Sequence, residues 1–516
     1  MGQSFIHGAF ILMAASMVNR VLGFIYQAVI YRYIGPEGVG LFNSVYPVYI
    51  LILVLATAGI PLGISKLVSE EKAMGNLRGC YYVLWLSVIL LIFSGSLFSL
   101  LSYLFLPILL KYVFVNEMVY PVFLCLIPGI FIISVSSAFR GFFQGMMDMK
   151  PPALAQIAEQ TVRVIAGVSL AALLLPQGLH MAAAGTAAAT VIGEMAGLLV
   201  VLGIFFRRKP LNLRFELPDI NVSLNILRYL FELCTPITLG RIVATLIISV
   251  DSVLIPLMLT KAGYTASAAT ALFGQFTGVA LTLLFVPSVI TISMATSLVP
   301  AISEACAQNR PILVSSRTGE AIRVTLLAGI PFITAFLIIP DGLCEAVFGS
   351  PQSGGMLRAL AFGCIFAYLQ QTTSGVLQGM GRPVIPMISI AAAGIIKAAL
   401  ITILAAGKGL GIMGVVYAYN AFFFISAGLN LKCLASSTGF ALNPVNNILK
   451  PAWAGIIAGI VISRVYAIFY GLSGTGAGVA FSLALGFLSY LVALVLFGAV
   501  TRHDFRRISF LRKLIR

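Results

Sequence analysis

The sequence predicts an all-α polytopic membrane protein of about 14 transmembrane helices, built as two parallel-repeat six-helix lobes plus two appended helices. Three observations predict it. Of 516 residues, 60% are hydrophobic and 9% charged, with a mean hydropathy of +1.05, against about 25% charged residues in a soluble domain. Apolar runs long enough to cross a bilayer recur from end to end. A short pattern returns after 234 residues, a distance that holds six spans.

The composition excludes a soluble enzyme, a disordered chain and a disulfide-stapled secreted domain. A net charge of +16 reads as basic helix ends facing anionic lipid, since no basic stretch is interleaved with aromatics as a nucleic-acid surface requires. The seven cysteines are scattered and form no CxxC, so they read as small apolar packing residues. The three histidines, His7, His180 and His503, lie far apart and offer no metal constellation.

Apolar runs place the spans at 8–33, 41–67, 80–106, 119–143, 152–175, 181–206, 224–256, 271–302, 318–340, 355–379, 384–406, 411–435, 448–470 and 475–500. The first is too long for a signal-peptide core and carries Arg20, so it reads as a retained span. Gly35-Pro36, Pro151-Pro152, Gly381-Arg382-Pro383 and Asn443-Pro444 are among the breakers between them. Pro236, Pro287 and Pro331 are candidate kinks inside spans.

The organisation expected is an N-terminal six-helix lobe (1–210), a basic linker (211–223), a C-terminal six-helix lobe (224–440), two appended helices (441–500) and a basic tail (501–516). Loops on the side of the termini hold 22 Lys and Arg, counting Arg140 as a loop residue, and the opposite loops hold 5. The positive-inside rule then puts both termini in the cytoplasm of a cell-membrane protein.

The repeat pairs Gly141-Phe142-Phe143-Gln144-Gly145-Met146 with Gly375-Val376-Leu377-Gln378-Gly379-Met380. The stretches ending Leu67-Val68-Ser69-Glu70 and Ala301-Ile302-Ser303-Glu304 keep the same offset. An even number of spans between equivalents means two like-oriented halves, an arrangement that places transport cavities between lobes. The GxxxG spacing of Gly141/Gly145 and Gly375/Gly379 reads as close helix packing.

Charges at depth are the functional candidates, because each costs at least about 2.5–3.5 kcal/mol at the bilayer centre unless it is partnered or wet. Arg163 and Lys397 are equivalent under the 234-residue repeat, and Arg20 aligns with Arg241 at an offset of 221. Glu159 lies four residues before Arg163, which allows either a structural ion pair or a polar cavity wall. Arg20, Arg241 and Lys397 have no acid one helical turn away. They suit a phosphate or pyrophosphate between the lobes, unless they pair across helices with Glu194 or Asp251.

Gln3-Ser4-Phe5, Asn19-Arg20-Val21-Leu22-Gly23-Phe24, Ile34-Gly35-Pro36-Glu37-Gly38-Val39-Gly40-Leu41, Arg140-Gly141 through Gln144-Gly145 and Glu159-Gln160-Thr161-Val162-Arg163-Val164 carry a resemblance. So does the run from Leu55 through Pro61 to Glu71. The chain resembles, over almost its whole length, the polysaccharide-transporter branch of the multidrug/oligosaccharidyl-lipid/polysaccharide (MOP) exporter superfamily. The resemblance implies the MATE-like fold, alternating access and transbilayer movement of an undecaprenyl-linked sugar, a lipid-linked oligosaccharide or lipid II-like peptidoglycan precursor for spore cortex. Lipid II flippases of that superfamily share the motif around Arg20, but Tyr26 stands where they carry a second arginine.

The site expected is therefore substrate-binding, formed by Arg20, Arg241, Lys397, Arg163 and Glu159, with membrane lipid around it. The alternative is a cation-coupled multidrug antiporter of the same fold using Glu159, Glu194 or Asp251. No HExxH, GxSxG or GxxxxGK[ST] is present, so neither catalysis, a cofactor, a metal nor nucleotide binding is expected.

Overall fold

A computed structural model describes residues 5–208, 220–440 and 444–499. Residues 211–219 of the expected linker and the basic tail 501–516 lie outside the described residues. Thirteen stretches of the described residues are long and apolar enough to cross a membrane. The first, 11–73, holds helices joined at Gly35, and only Val286-Pro287 separates 266–285 from 288–307. Gly354–Gly379, more polar because of Arg358, Gln370, Gln371 and Gln378, stands outside the thirteen.

With 266–285 and 288–307 numbered together and Gly354–Gly379 included, fourteen helical segments follow one another among the described residues. They are α1 (5–34), α2 (36–73, interrupted at Ala58-Gly59), α3 (Leu77–Tyr112), α4 (Tyr120–Gly145), α5 (Lys150–Leu174), α6 (Leu179–Arg208) and α7 (Ile220–Lys261). After them come α8 (266–307), α9 (Pro311–Ile338), α10 (Gly354–Gly379), α11 (384–407), α12 (Ile412–Thr438), α13 (445–473) and α14 (475–496). A short helix, Pro340–Phe348, follows α9. Each run expected from the sequence falls mainly on one of these helices, although 318–340 runs past the end of α9, 475–500 past that of α14, and 41–67 crosses Ala58-Gly59.

Glycines make the sharp reversals. Gly35 (φ 67°, ψ −176°) and Gly474 (φ 80°, ψ 175°) adopt a backbone region essentially closed to residues with a Cβ. Around Gly474 the chain folds back as a hairpin: Phe469 stacks on Phe481 at 4.7 Å, and Gly486 packs on Ile462. Of the expected kinks, Pro287 separates the helical stretches Leu281–Phe285 and Ser288–Ala307, whereas Pro331 sits inside the unbroken α9. Pro236 lies within α7.

Two compact units divide the chain at Gly274/Gln275. In the first, α7 packs on α2, where Ser249 Oγ donates to the Pro47 carbonyl at 2.8 Å. Its core is an aromatic cluster of Tyr81, Trp85, Phe139, Phe142, Phe143 and Phe205, with Phe142 and Phe205 rings 5.8 Å apart. Lipid is as apolar as these side chains, so close packing rather than exclusion from water holds such a bundle together.

The internal repeat is written into the packing of each unit. In the first, α2 runs along α4: a Cβ on Gly141 would lie 2.6 Å from the Pro61 carbonyl oxygen, and one on Gly145 2.6 Å from that of Ser65. In the second, Gly375 and Gly379 of α10 meet the carbonyls of Ala295 and Val299 on α8, at 2.9 and 2.8 Å by the same measure. Every one of these residues is displaced by 234 positions from its counterpart. The turns match too, with positive φ at Gly75 and Asn309 and at Met147 and Gly381.

Candidate functional site

The charges expected at depth separate into three environments. The first is a cluster in the N-terminal unit. Arg163 Nη2 donates to Glu159 Oε1 at 2.8 Å and to Glu194 Oε1 at 2.9 Å. Arg140 Nη2 donates to Glu159 Oε2 at 2.8 Å and lies 3.9 Å from Glu194 Oε2. Two arginines and two glutamates thus neutralise one another among α4, α5 and α6, and both glutamates are buried. Low exposure strengthens such pairs and makes an unmatched member costly.

The local sequence explains the convergence. Glu159 and Arg163 are one turn apart on α5. Gly193 and Gly197 flank Glu194 on α6, and a Cβ on either would lie 2.8 Å from the Glu159 carbonyl oxygen or 2.9 Å from Arg140 Nη2. These glycines let α6 approach α5 closely enough for its carboxylate to reach across. Sequence reasoning treated Arg140 as a loop residue. The structure places it inside α4, where it completes the cluster. The GxxxG pair around Glu194 was the signal that could have found it.

The α1–α2 hairpin covers this cluster with polar groups. Asn19 Nδ2 donates to the Gln156 carbonyl of α5 at 3.1 Å, and Tyr26 packs on Gly167. The Tyr26 and Tyr49 hydroxyls and Asn19 Oδ1 are buried without a hydrogen-bond partner, as are the Nε atoms of Arg140 and Arg163.

The second environment holds Arg20 and Arg241. Asn19 faces α5, which turns Arg20 about 100° away along the helix, and its side chain is exposed. Arg241, midway along α7, is exposed as well. Neither makes an ion pair among the described residues, and Glu194 is engaged by Arg163 and Arg140 instead. The third environment belongs to the C-terminal unit. Lys397 of α11 is 2% exposed, with Nζ 4.4 Å from the ring centre of Tyr419 and 4.6 Å from that of Phe422 on α12. At the repeat position of Arg163, Lys397 thus makes a cation–aromatic contact.

A family model described as "Polysaccharide biosynthesis protein" matches residues 5–306. The chain belongs to the polysaccharide biosynthesis protein family. It is 30% identical to Stage V sporulation protein B of Bacillus subtilis (strain 168) over 519 residues, covering 99% of each chain. The solved structure of the lipid II flippase MurJ, in an inward closed conformation, superposes with a TM-score of 0.69 at 16% identity, over 98% of this chain and 100% of that one. An inward-facing multidrug resistance MATE family transporter of the MOP superfamily matches with a TM-score of 0.69 at 17% identity, over 81% and 94%. These two likenesses establish the fold, which is the MOP fold expected from the sequence.

Within this family member the five expected site residues stand in different local surroundings. Glu159 and Arg163 belong to the neutral cluster, Lys397 is enclosed by aromatic rings, and Arg20 and Arg241 remain exposed cations. Among the described residues no group of three or more His, Cys, Asp or Glu could hold a metal ion.

Proposed function

We propose that this membrane protein is a flippase that carries an undecaprenyl-linked sugar intermediate, a peptidoglycan precursor for spore cortex, by alternating access between lobes 1–210 and 224–440. The observation that carries this reading is Arg20, a cation midway along α1, exposed and without an ion partner among the described residues. Hydrocarbon would not tolerate it, so it faces a wet cavity and an anion. Arg241 is its partner in recognition, and a pyrophosphate supplies two bidentate acceptors for the two guanidinium groups. The glutamates Glu159 and Glu194 are spent on holding α4, α5 and α6 together.

The relatives support the reading by what their names say: one is a sporulation protein and one a lipid II flippase. The basic asymmetry of the loops supports cytoplasmic termini in the cell membrane. A cation-coupled drug antiporter is disfavoured, because Glu159 and Glu194 are each matched by arginine.

The test is reconstitution of the full chain in vesicles with a lipid-pyrophosphate-linked saccharide and, separately, a cationic dye. Movement of the saccharide between leaflets is expected. Gradient-driven dye efflux without saccharide movement would overturn the proposal in favour of the antiporter.

A further inference from the structure

The two halves are closed differently at one end of their bundles. In the first unit the turns after α2 and α4 are sealed by polar contacts. Asn76 Nδ2 donates to Glu71 Oε2 at 2.6 Å, Lys72 Nζ donates to the Met146 carbonyl at 2.5 Å, and Asp148 pairs with Arg208. Behind these turns stand the rings of Tyr81, Trp85 and Phe139. In the second unit, 234 positions on, Glu71 becomes Ala305, Asn76 becomes Arg310 and Asp148 becomes Arg382. Tyr81, Trp85 and Phe139 become Ser315, Gly319 and Thr373. The matching positive-φ turns fix this correspondence.

Two carboxylates are lost, two arginines gained and three rings removed. A cavity of about 410 Å³ opens there, walled by Val314 and Met380 and rimmed by Cys306, Asn309, Arg310 and Ser437. Arg382 Nη1 donates at 2.7 Å to Oγ of Ser437, a lining residue, which brings a second guanidinium beside the rim. The neighbouring carboxylate, Glu304, accepts from Gln308 Nε2 at 3.3 Å. An apolar wall under a doubly cationic rim is complementary to a lipid that carries a phosphate on an acyl body.

We propose that this cavity, at the ends of α8, α9, α10 and α12, binds an anionic membrane phospholipid, with its phosphate on Arg310 and Arg382 and its acyl chains against Val314 and Met380. The site is distinct from Arg20 and Arg241, and its occupant is a resident lipid rather than a transported one.

Cys306 on the rim is a free thiol and reports occupancy. Its alkylation, mapped by peptide mass spectrometry, is compared for the full chain in nanodiscs of phosphatidylcholine, of phosphatidylcholine with phosphatidylglycerol, and of phosphatidylcholine with inorganic phosphate in the buffer. Phosphatidylglycerol should slow alkylation roughly tenfold, the preference of two arginines for an anionic headgroup, and R310Q/R382Q should remove the protection. Should that variant fail to fold, Asn309→Asp brings a carboxylate to a left-handed position that aspartate tolerates, and it should remove the protection as well. Equal rates in all three nanodiscs would overturn the site. Equal protection by inorganic phosphate would overturn the lipid as its ligand, and protection that survives the variants would overturn the role of the arginines.

Discussion

Arg163 on α5 and Glu194 on α6, 31 residues apart in sequence, meet at 2.9 Å between Nη2 and Oε1. That contact extends the Glu159–Arg163 pair beyond its own helix. With Glu194 and Arg140 added, formal charge is balanced within the cluster. The cluster is a tie between three helices whose mutual attraction in lipid is otherwise weak.

Breaking that tie from one side should destabilise the protein. Removing one member of a buried pair leaves an uncompensated charge, at a cost of about 3–5 kcal/mol. Arg163→Gln should therefore lower the unfolding temperature in detergent markedly. Adding Glu194→Gln should recover part of the loss, since coupled residues deviate from additivity by about 0.5–3 kcal/mol. Equal, additive losses from the two substitutions would show that the contact carries no coupling.

The helices were legible in the sequence because each is a long apolar run bounded by Gly, Pro or charge, and the repeat was legible because its glycines cannot vary where carbonyls press on them. The cluster was not. A helical i, i+4 rule finds Glu159 beside Arg163, but Glu194 arrives from another helix and Arg140 resembled a loop cation near the end of its run. Contacts between helices are set by relative rotation, which an all-apolar helix face does not specify. Lys397 shows the same limit: its repeat position was visible, whereas the Tyr419 and Phe422 rings that enclose it come from α12.

Glycine substitutions should rank by the space around them. Gly141→Ala and Gly375→Ala each force a methyl within 3 Å of a backbone carbonyl oxygen, at 2.6 and 2.9 Å respectively. Overpacking of this kind costs about 1–3 kcal/mol. Gly428 on α12 has nothing within 4 Å of an added Cβ, so Gly428→Ala should be neutral or stabilising by about 0.4–1 kcal/mol. Thermal unfolding monitored by fluorescence of the purified variants checks the ranking, and the two repeat positions should behave alike.

The proposed orientation makes a labelling prediction at the two ends of α8. Tyr264, exposed before its first turn, and Gln308, exposed after its last, bracket α8, and the proposed orientation puts them on opposite sides. Single cysteines at these positions, in a background without the native thiols, should react differently with an impermeant maleimide in intact cells. Tyr264→Cys should label from outside and Gln308→Cys only after permeabilisation. Setting aside Arg140, which the ion cluster holds, leaves the basic count at 21 against 5, so the expected direction stands.

The last prediction concerns the two exposed arginines. Arg20 and Arg241 each lie midway along a helix, expose their side chains and lack an ion partner among the described residues. A hydrogen bond to a charged group contributes about 1.5–3 kcal/mol, so Arg20→Ala and Arg241→Ala should each lower the rate of saccharide-lipid translocation roughly ten- to hundredfold. Neither removes a packing contact that holds the bundle, so expression and unfolding temperature should stay near wild type. Lysine keeps the charge and loses the planar fork, which places Arg20→Lys and Arg241→Lys between wild type and alanine. A neutral cluster gives the control: Glu159→Gln should act first on stability, with transport falling only as folded protein is lost. Full activity in a well-folded Arg20→Ala/Arg241→Ala double variant would remove these residues from the recognition site and return the search to Lys397.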